Sequence, residues 1–349
     1  MKKNKIFFIL FTLVFSCVPI QNSYSANIIK SGSICKIKNQ NAVFQSNNFT
    51  CVKSGKKLIW KKVSLFSAWS TKFNTEAMVN AALQSTNKYF GKVVPKRSYE
   101  FYIDNLLPEY DRNLVLQMLD YSSGAFKNVQ QETFKAFVGS SHEWSKQTLN
   151  GMNLWLGDKS SQFPCSEGIN DVYCADKNLI LLVFKKPASY WSIGVLSTPA
   201  HEVFHTIQHS LTGEDFTVHG GTLSDFSARR IPRWLTEGSA NYFGYYIVDK
   251  LGFHSYENGR NNQVRFNSEY RNIKPLSTYD NFESNPYGIG QAATEYIIAS
   301  VGFESLLNIF KFTGTEGTFS AGFKKATGIK LSEFYSKFED SRKNMKIGN

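Results

Sequence analysis

One five-residue segment, His201-Glu202-Val203-Phe204-His205, constrains this chain more than any other feature of its sequence. On an α-helix, side chains four residues apart project from the same face, so the two histidines can bind a single metal ion. Glu202 directly follows the first histidine, where its carboxylate can polarise a water on that metal. The segment therefore predicts a helical metal site, provided that a third ligand lies elsewhere in the chain.

The flanking residues indicate where this helix begins and ends. Thr198 is a favourable N-cap and Pro199 a favourable first helical residue, and Gly213 stands just past the expected end. His209 is expected at the helix surface or behind the ligands. His219 is expected in an exposed loop between the ligands, the alternative being that it reaches the substrate. Three apolar side chains predict that the opposite face of the helix is buried: Val203, Phe204 and Ile207.

The third ligand is predicted at Glu237, on a second helix. Its small neighbours Gly238 and Ala240 suit a buried metal-binding carboxylate better than a surface charge. Two histidines and one glutamate make an open zinc site, in which the fourth position is left for water. The sequence thus predicts one Zn²⁺ per chain, held by His201, His205 and Glu237.

The motifs His201-Glu202-x-x-His205 and Trp234-Leu235-x-Glu237-Gly238-x-Ala240 together resemble those of the gluzincins, the thermolysin-like superfamily of zinc metallopeptidases. The element Pro286-Tyr287-Gly288-Ile289-Gly290 is similar to one that carries an oxyanion-stabilising tyrosine in the aminopeptidase branch of that superfamily. The three motifs occur in the family's order. The resemblance covers roughly residues 64–345 of the chain.

This resemblance implies a peptidase that hydrolyses a peptide or protein substrate with a metal-activated water. Glu202 would be the general base, and Tyr287 would donate a hydrogen bond to the oxyanion. The G-x-M-E-N element that recognises the substrate amino terminus in the aminopeptidase branch is missing before His201, which removes the main support for an exopeptidase. Asn241 replaces a frequent acid behind the metal ligands, where it could still accept a hydrogen bond from a histidine.

Two other functions stay open at this point. A gluzincin-shaped protein without activity could serve as a binding protein of the cell surface, although all three ligands and Glu202 are present. A zinc hydrolase that acts on a non-peptide bond is compatible with the same motifs.

Hydrophobic patterning predicts an α+β fold with almost only helix after Tyr190. The resemblance implies a two-lobed, thermolysin-like zincin for residues 64–349, with a mixed α/β lobe over about 64–212 and a mainly helical lobe over about 213–349. A small all-β module of residues 26–63 precedes it. The predicted elements are the helices Thr75–Phe90, Leu106–Tyr121 and Ser141–Asn150 and the strands Phe49–Lys53, Lys57–Lys62, Tyr99–Ile103, Phe134–Val138 and Leu179–Phe184.

Residues 1–25 have the parts of a signal peptide. Met1–Lys5 is basic, Ile6–Ile20 is apolar, and the small residues around Ser25 predict cleavage after it. The apolar stretch has 15 residues, whereas a membrane span takes about 20, so cleavage is favoured over a retained anchor. The protein is therefore expected to be secreted or otherwise extracytoplasmic, in a periplasm or at the cell surface.

Four cysteines remain once the signal peptide is removed, an even number that suits an oxidising compartment. Their local spacing favours the disulfide bonds Cys35–Cys51 and Cys165–Cys174. A zinc site made of all four cysteines is the competing interpretation, but the chain has no C-x₂-C pair.

The formal net charge of +12 is concentrated near the amino terminus. Residues 64–349 carry only +1, so we expect no nucleic-acid partner. Residues 26–63 contain no acidic residue, and their lysines together with Trp60 suggest contact with an anionic cell-surface polymer or membrane, the alternative being a solvated charged face. The eight lysines are Lys30, Lys36, Lys38, Lys53, Lys56, Lys57, Lys61 and Lys62.

Overall fold

The chain divides after Val63 into two units, Met1–Val63 and Ser64–Asn349. The predicted signal peptide, Cys165 and His219 lie outside the described residues. No helix in the described part of the chain is long and apolar enough to cross a membrane. The computed structural model describes residues 30–36, 38, 41–44, 47–63, 69–70, 74–126, 129, 133–154, 172–176, 178–213, 231–266, 274–280 and 286–343.

The first unit contains a three-stranded antiparallel sheet, β1 Asn41–Phe44, β2 Asn47–Ser54 and β3 Lys57–Val63. The two longer strands confirm the predicted strand pair. Gly55 opens the two-residue turn between them with a φ of 59°, a conformation that glycine adopts without steric cost. Such a turn matches the twist of the flanking strands and sets their register.

A disulfide bond between Cys35 and Cys51 fastens the segment before β1 to the middle strand, with the Cα atoms 5.8 Å apart. Both cysteines are buried with Phe49 and Trp60 in the core of this unit. The bond confirms the predicted pairing and removes the four-cysteine zinc site, because zinc binds thiolates. Trp60 is only 7% exposed, so its ring belongs to this core and does not lie at the surface with the lysines, where the sequence suggested that it contacts a polymer or membrane.

The second unit contains a four-stranded sheet in the order β4-β5-β7-β6. Strands β4, β5 and β7 are parallel to one another, and β6 is antiparallel to β7. The predicted strands near residues 100, 136 and 181 are confirmed, and β6 was not predicted. The strands are β4 Glu100–Ile103, β5 Lys135–Gly139, β6 Val172–Asp176 and β7 Leu179–Val183.

Helices make up most of the rest of this unit, so the coarse α+β prediction is confirmed. The first helix has the predicted bounds, and the next two begin within three residues of their predicted starts. The helices are α1 Thr75–Phe90, α2 Glu109–Ala125, α3 His142–Gly151, α4 Ile193–Thr212, α5 Arg233–Lys250, α6 Tyr256–Phe266, α7 Tyr287–Val301, α8 Phe303–Glu316, α9 Phe319–Thr327 and α10 Leu331–Arg342.

The predicted start of α4 is wrong. Ser192, not Thr198, is the N-cap and accepts a hydrogen bond from a backbone N–H, and Pro199 lies inside the helix. A proline there removes one helical hydrogen bond. The helix continues through Pro199 because Leu196 and Ala200, on either side of the missing hydrogen bond, pack into the hydrophobic core. Tertiary packing of this kind overrides local helix propensity.

Helix α4 lies between two hydrophobic cores. Val203 packs in one core with Ile180 and Leu182 of β7. Phe204 packs in the other, with its ring centroid 5.3 Å from that of Phe243 on α5. The predicted burial of α4 is thereby confirmed, and its histidines are held between the sheet and the helical core.

Helices α5 and α7 touch backbone to backbone at two glycines. A Cβ atom on Gly238 would lie 2.1 Å from the carbonyl carbon of Gly290, and one on Gly290 would lie 2.1 Å from the carbonyl oxygen of Trp234. Neither site has room for a methyl group. Since Glu237 and Tyr287 stand beside these glycines in sequence, the close contact fixes how near α7 comes to the ligand on α5.

We expect Gly290→Ala to lower the free energy of unfolding by about 1–3 kcal/mol, because the added methyl must push two backbones apart. Urea unfolding of the intact protein measures the loss. Gly151→Ala is the matched control, because nothing lies within 4 Å of its Cβ position. Equal stability of the two variants would contradict the packing argument.

Candidate metal centre

The three predicted ligand side chains come together where α4 faces α5. The Nε2 atoms of His201 and His205 lie 3.0 Å apart. Glu237 Oε2 lies 3.4 Å from the first of these atoms and 3.7 Å from the second. Among the described residues, only these three form a group of histidine, cysteine or acidic side chains close enough to share a metal ion.

The other nitrogen of each imidazole sets its orientation. His201 Nδ1 lies 3.0 Å from Asn241 Oδ1, and His205 Nδ1 lies 2.9 Å from Gln208 Oε1. Because an amide oxygen only accepts hydrogen bonds, each neutral imidazole carries its proton on Nδ1 and presents the lone pair of Nε2 to its neighbour. Two lone pairs and a carboxylate oxygen that face one point repel one another unless positive charge lies between them, either a proton on one imidazole or a metal ion.

This donor set fits zinc. Zn²⁺ takes histidine nitrogens and carboxylate oxygens at about 2.0–2.2 Å in a tetrahedral arrangement, which puts neighbouring donor atoms about 3.4 Å apart. The observed separations of 3.0, 3.4 and 3.7 Å lie around that value. Two histidines with one glutamate are also a known ligand set of catalytic zinc sites. His201, His205 and Glu237 are therefore the residues that would hold the ion.

Gln208 is a further residue of the site that the sequence did not predict. Its Nε2 donates to the Thr236 carbonyl at 2.9 Å and to Ser239 Oγ at 3.0 Å. The bond to a carbonyl also decides which end of the amide faces His205. Since Thr236 and Ser239 flank Glu237, Gln208 connects one ligand to the turn that carries another. Its position three residues after His205 indicated that the two side chains could meet on one helix face. Its hydrogen bonds to α5 could be seen only in the tertiary structure.

Glu202 is 5% exposed and lies next to the ligands. Burial raises the pKa of its carboxyl, and Glu237 adds to this, while the imidazoles of His201 and His205 oppose it. A carboxylate with a raised pKa is better matched to accepting and returning a proton near neutral pH. The surroundings of Glu202 therefore suit a general base.

Tyr287 is the first residue of α7, and its ring centroid lies 6.3 Å from that of His201. The charge of Glu237 raises the pKa of the Tyr287 phenol, burial adds to it, and the Arg233 guanidinium opposes it. The phenol is thus protonated at neutral pH and able to donate a hydrogen bond. Arg233, which the sequence did not single out, also has its Nε atom 3.9 Å from Glu237 Oε1.

A buried polar network holds α6 against α7. Glu295 is fully buried and accepts hydrogen bonds from Arg260 Nε, at 2.9 and 3.0 Å, and from the Tyr256 hydroxyl, at 2.6 Å. Gln291 Nε2 donates to the same hydroxyl at 3.0 Å. The sequence prediction missed this network, because its members lie far apart along the chain.

His209 does not join the metal centre. It is 1% exposed, so the predicted position at the helix surface is wrong. The reason is that α4 packs against hydrophobic cores on two sides and leaves little of its length in solvent.

Comparison of this chain with protein-family models, with curated proteins and with solved structures gives no match. A functional assignment therefore rests on the residues of the site and their chemistry.

We expect the affinity for zinc to rise with pH until about pH 9. Burial acts to lower the pKa of His205, but the hydrogen bond and charge of Glu237, together with Glu202 and Gln208, outweigh it and raise that pKa from 6.5 to about 9 in the metal-free chain. Zinc must displace this proton, so below the pKa each pH unit should increase affinity about tenfold. Competition with a chelator across this pH range measures the effect. An affinity that does not change with pH would contradict it.

We expect Gln208→Leu to weaken zinc binding by about 10–100-fold, because the His205 imidazole loses the acceptor that orients it. Chelator competition and zinc analysis measure this change. Gln84→Leu, at an exposed position of α1, is the matched control. Unaltered affinity in Gln208→Leu would show that the amide does not position the ligand.

Proposed function

We propose that this protein is an exported zinc-dependent metallopeptidase of the gluzincin type. The observation that carries the proposal is the convergence of His201, His205 and Glu237 beside the buried Glu202. The Cys35–Cys51 disulfide is typical of proteins outside the cytoplasm and agrees with the predicted export.

The packing of the second unit supports the finer part of this assignment. Helix α4, with two ligands, lies against α5, with the third. Helix α7 presents Tyr287 at the same place. We infer a thermolysin-like arrangement in which a mixed α/β lobe up to about residue 212 meets a mainly helical lobe that follows.

Bound zinc would supply a Lewis acid that polarises the scissile carbonyl and lowers the pKa of water. Glu202 would accept a proton from the attacking water and pass it to the leaving amine as the peptide bond breaks. Its burial supports this role, because a carboxyl with a raised pKa can hold the proton between the two steps.

Tyr287 would donate its phenolic hydrogen to the oxyanion that forms on the scissile carbonyl. A raised pKa keeps that hydrogen in place at neutral pH. Arg233 adds positive charge beside Glu237. Both side chains would therefore favour a substrate whose oxygen becomes negatively charged during the reaction.

We expect Glu202→Gln to keep its zinc and lose roughly 10²–10⁴-fold in kcat/KM, because the amide cannot accept the proton. Metal analysis and peptide hydrolysis measure the two properties separately. Glu143→Gln, at an exposed position of α3, should leave both unchanged. Full activity in Glu202→Gln would overturn the assigned general base.

The test of the function itself combines metal analysis with a peptide library, for the wild-type protein and His205→Ala. About one zinc per chain, lost in the variant together with peptide cleavage, is the expected result. Mass spectrometry of the products separates endopeptidase from exopeptidase cleavage. Zinc without peptide cleavage would favour a hydrolase of another bond or a binding protein, and absence of zinc after reconstitution would overturn the proposal.

A further inference from the structure

One face of the sheet in the first unit carries aliphatic side chains. Ile34 forms a β-bridge with Ile59 of β3, and Ile59 is paired with Val52 of β2. Paired residues of neighbouring strands project from the same side of a sheet, so these three side chains form a row across it. Ile34 is 71% exposed, and the other two are half-buried. We call Ile34, Ile59 and Val52 the apolar row.

The apolar row does not belong to the core of this unit. Side chains alternate between the two faces of a strand, which places Cys51 and Trp60 on the opposite face. There they pack with Cys35 and Phe49. The unit thus buries one face of its sheet through its own disulfide-linked core and leaves the row on the other.

Lysines stand on both sides of the row. Lys57 and Lys61 lie two residues before and after Ile59 on β3, so they project from the same face. Lys56 follows Gly55 in the adjoining turn, and all three lysines are exposed. Residues 26–63 contain no acidic residue that could neutralise them. The face therefore combines an apolar centre with a cationic border.

We propose that this face binds the surface of an anionic lipid bilayer. Proteins at a membrane interface place aliphatic side chains at the boundary of the acyl chains and lysines at the anionic headgroups. The positive charge alone would fit any polyanion. A soluble anionic polymer, however, offers no apolar layer in which Ile34 could be buried. Of the two partners that the sequence left open, a polymer or a membrane, the row therefore favours the membrane. The proposal does not depend on the peptidase function.

Sedimentation with lipid vesicles tests the proposal. The protein is purified after export, and mass spectrometry of its amino terminus verifies that the apolar signal segment is absent. Vesicles of phosphatidylcholine with about one third phosphatidylglycerol should bind it, and vesicles of phosphatidylcholine alone should not. Binding should weaken as salt screens the lysines. Equal binding to both kinds of vesicle would overturn the proposal.

Two pairs of lysine substitutions distinguish binding through this face from binding through positive charge anywhere on the unit. Lys57→Gln with Lys61→Gln should lower partitioning to anionic vesicles by about 5-fold per lysine. Lys53→Gln with Lys62→Gln removes the same charge from the face that carries Trp60, and the loss should be smaller because those lysines lie about a Debye length (about 8 Å) or more from the lipid. Equal losses in the two pairs would overturn the assignment of this face.

Ile34→Ser tests the apolar row itself. Its high exposure means that the fold does not need it, and partitioning should fall by about 10-fold because an aliphatic side chain no longer enters the interface. Ile34→Leu should bind as the wild type does. If Ile34→Ser binds vesicles normally, or if soluble polyphosphate binds as tightly as vesicles do, the partner is a polyanion and the bilayer is excluded.

Discussion

The arrangement of the site in the second unit depends on how closely α5 packs against α4 on one side and α7 on the other. A Cβ atom on Gly244 would lie 2.9 Å from the Ser197 carbonyl oxygen of α4, and one on Gly238 would lie 2.1 Å from the backbone of Gly290 on α7. Helices α4 and α5 carry the three candidate metal ligands, and α7 carries Tyr287. If the helices were a methyl group further apart, ligand atoms now 3.0–3.7 Å from one another could not share a single ion.

The same proximity makes the ionisable groups of the site interdependent. The carboxylate of Glu237 is largely buried beside the ionisable side chains of the site. A proton on His205 or a metal ion would balance its negative charge. That charge also raises the pKa of Tyr287 and contributes to the raised pKa of Glu202. Loss of one of these side chains would therefore change the protonation of its neighbours. Gln208 accepts the Nδ1 hydrogen of His205, so that either a proton or a metal ion is taken up at Nε2.

The two units differ in how they are stabilised and in charge. In the described part of the first, the core consists of two cysteines and two aromatic residues, and a disulfide bond adds to this limited apolar burial. The lysines that the structure describes in this unit are all exposed. The second has two larger apolar cores around α4 and a net charge near zero. The candidate metal ligands and the cluster of lysines thus lie in separate parts of the chain.

The features that the sequence by itself determined are local ones. The four-residue spacing of His201 and His205, the helix Thr75–Phe90 and the hairpin around Gly55 follow from backbone geometry and from neighbours along the chain. The pairing of Cys35 with Cys51 follows from a short sequence separation.

Only the tertiary structure decided the rest. The start of α4 was mispredicted because core packing around Pro199 outweighs the local preference for proline at a helix start. The bonds of Gln208 to α5, and the Arg260–Glu295 pair, join residues from different helices. Trp60 lies in the core and Ile34 in solvent, a distinction that their apolar character does not reveal. One physical reason applies to all of these features. Burial and hydrogen bonding between distant segments depend on which surfaces pack together, and the hydrophobic periodicity of one segment does not indicate which other segment it packs against.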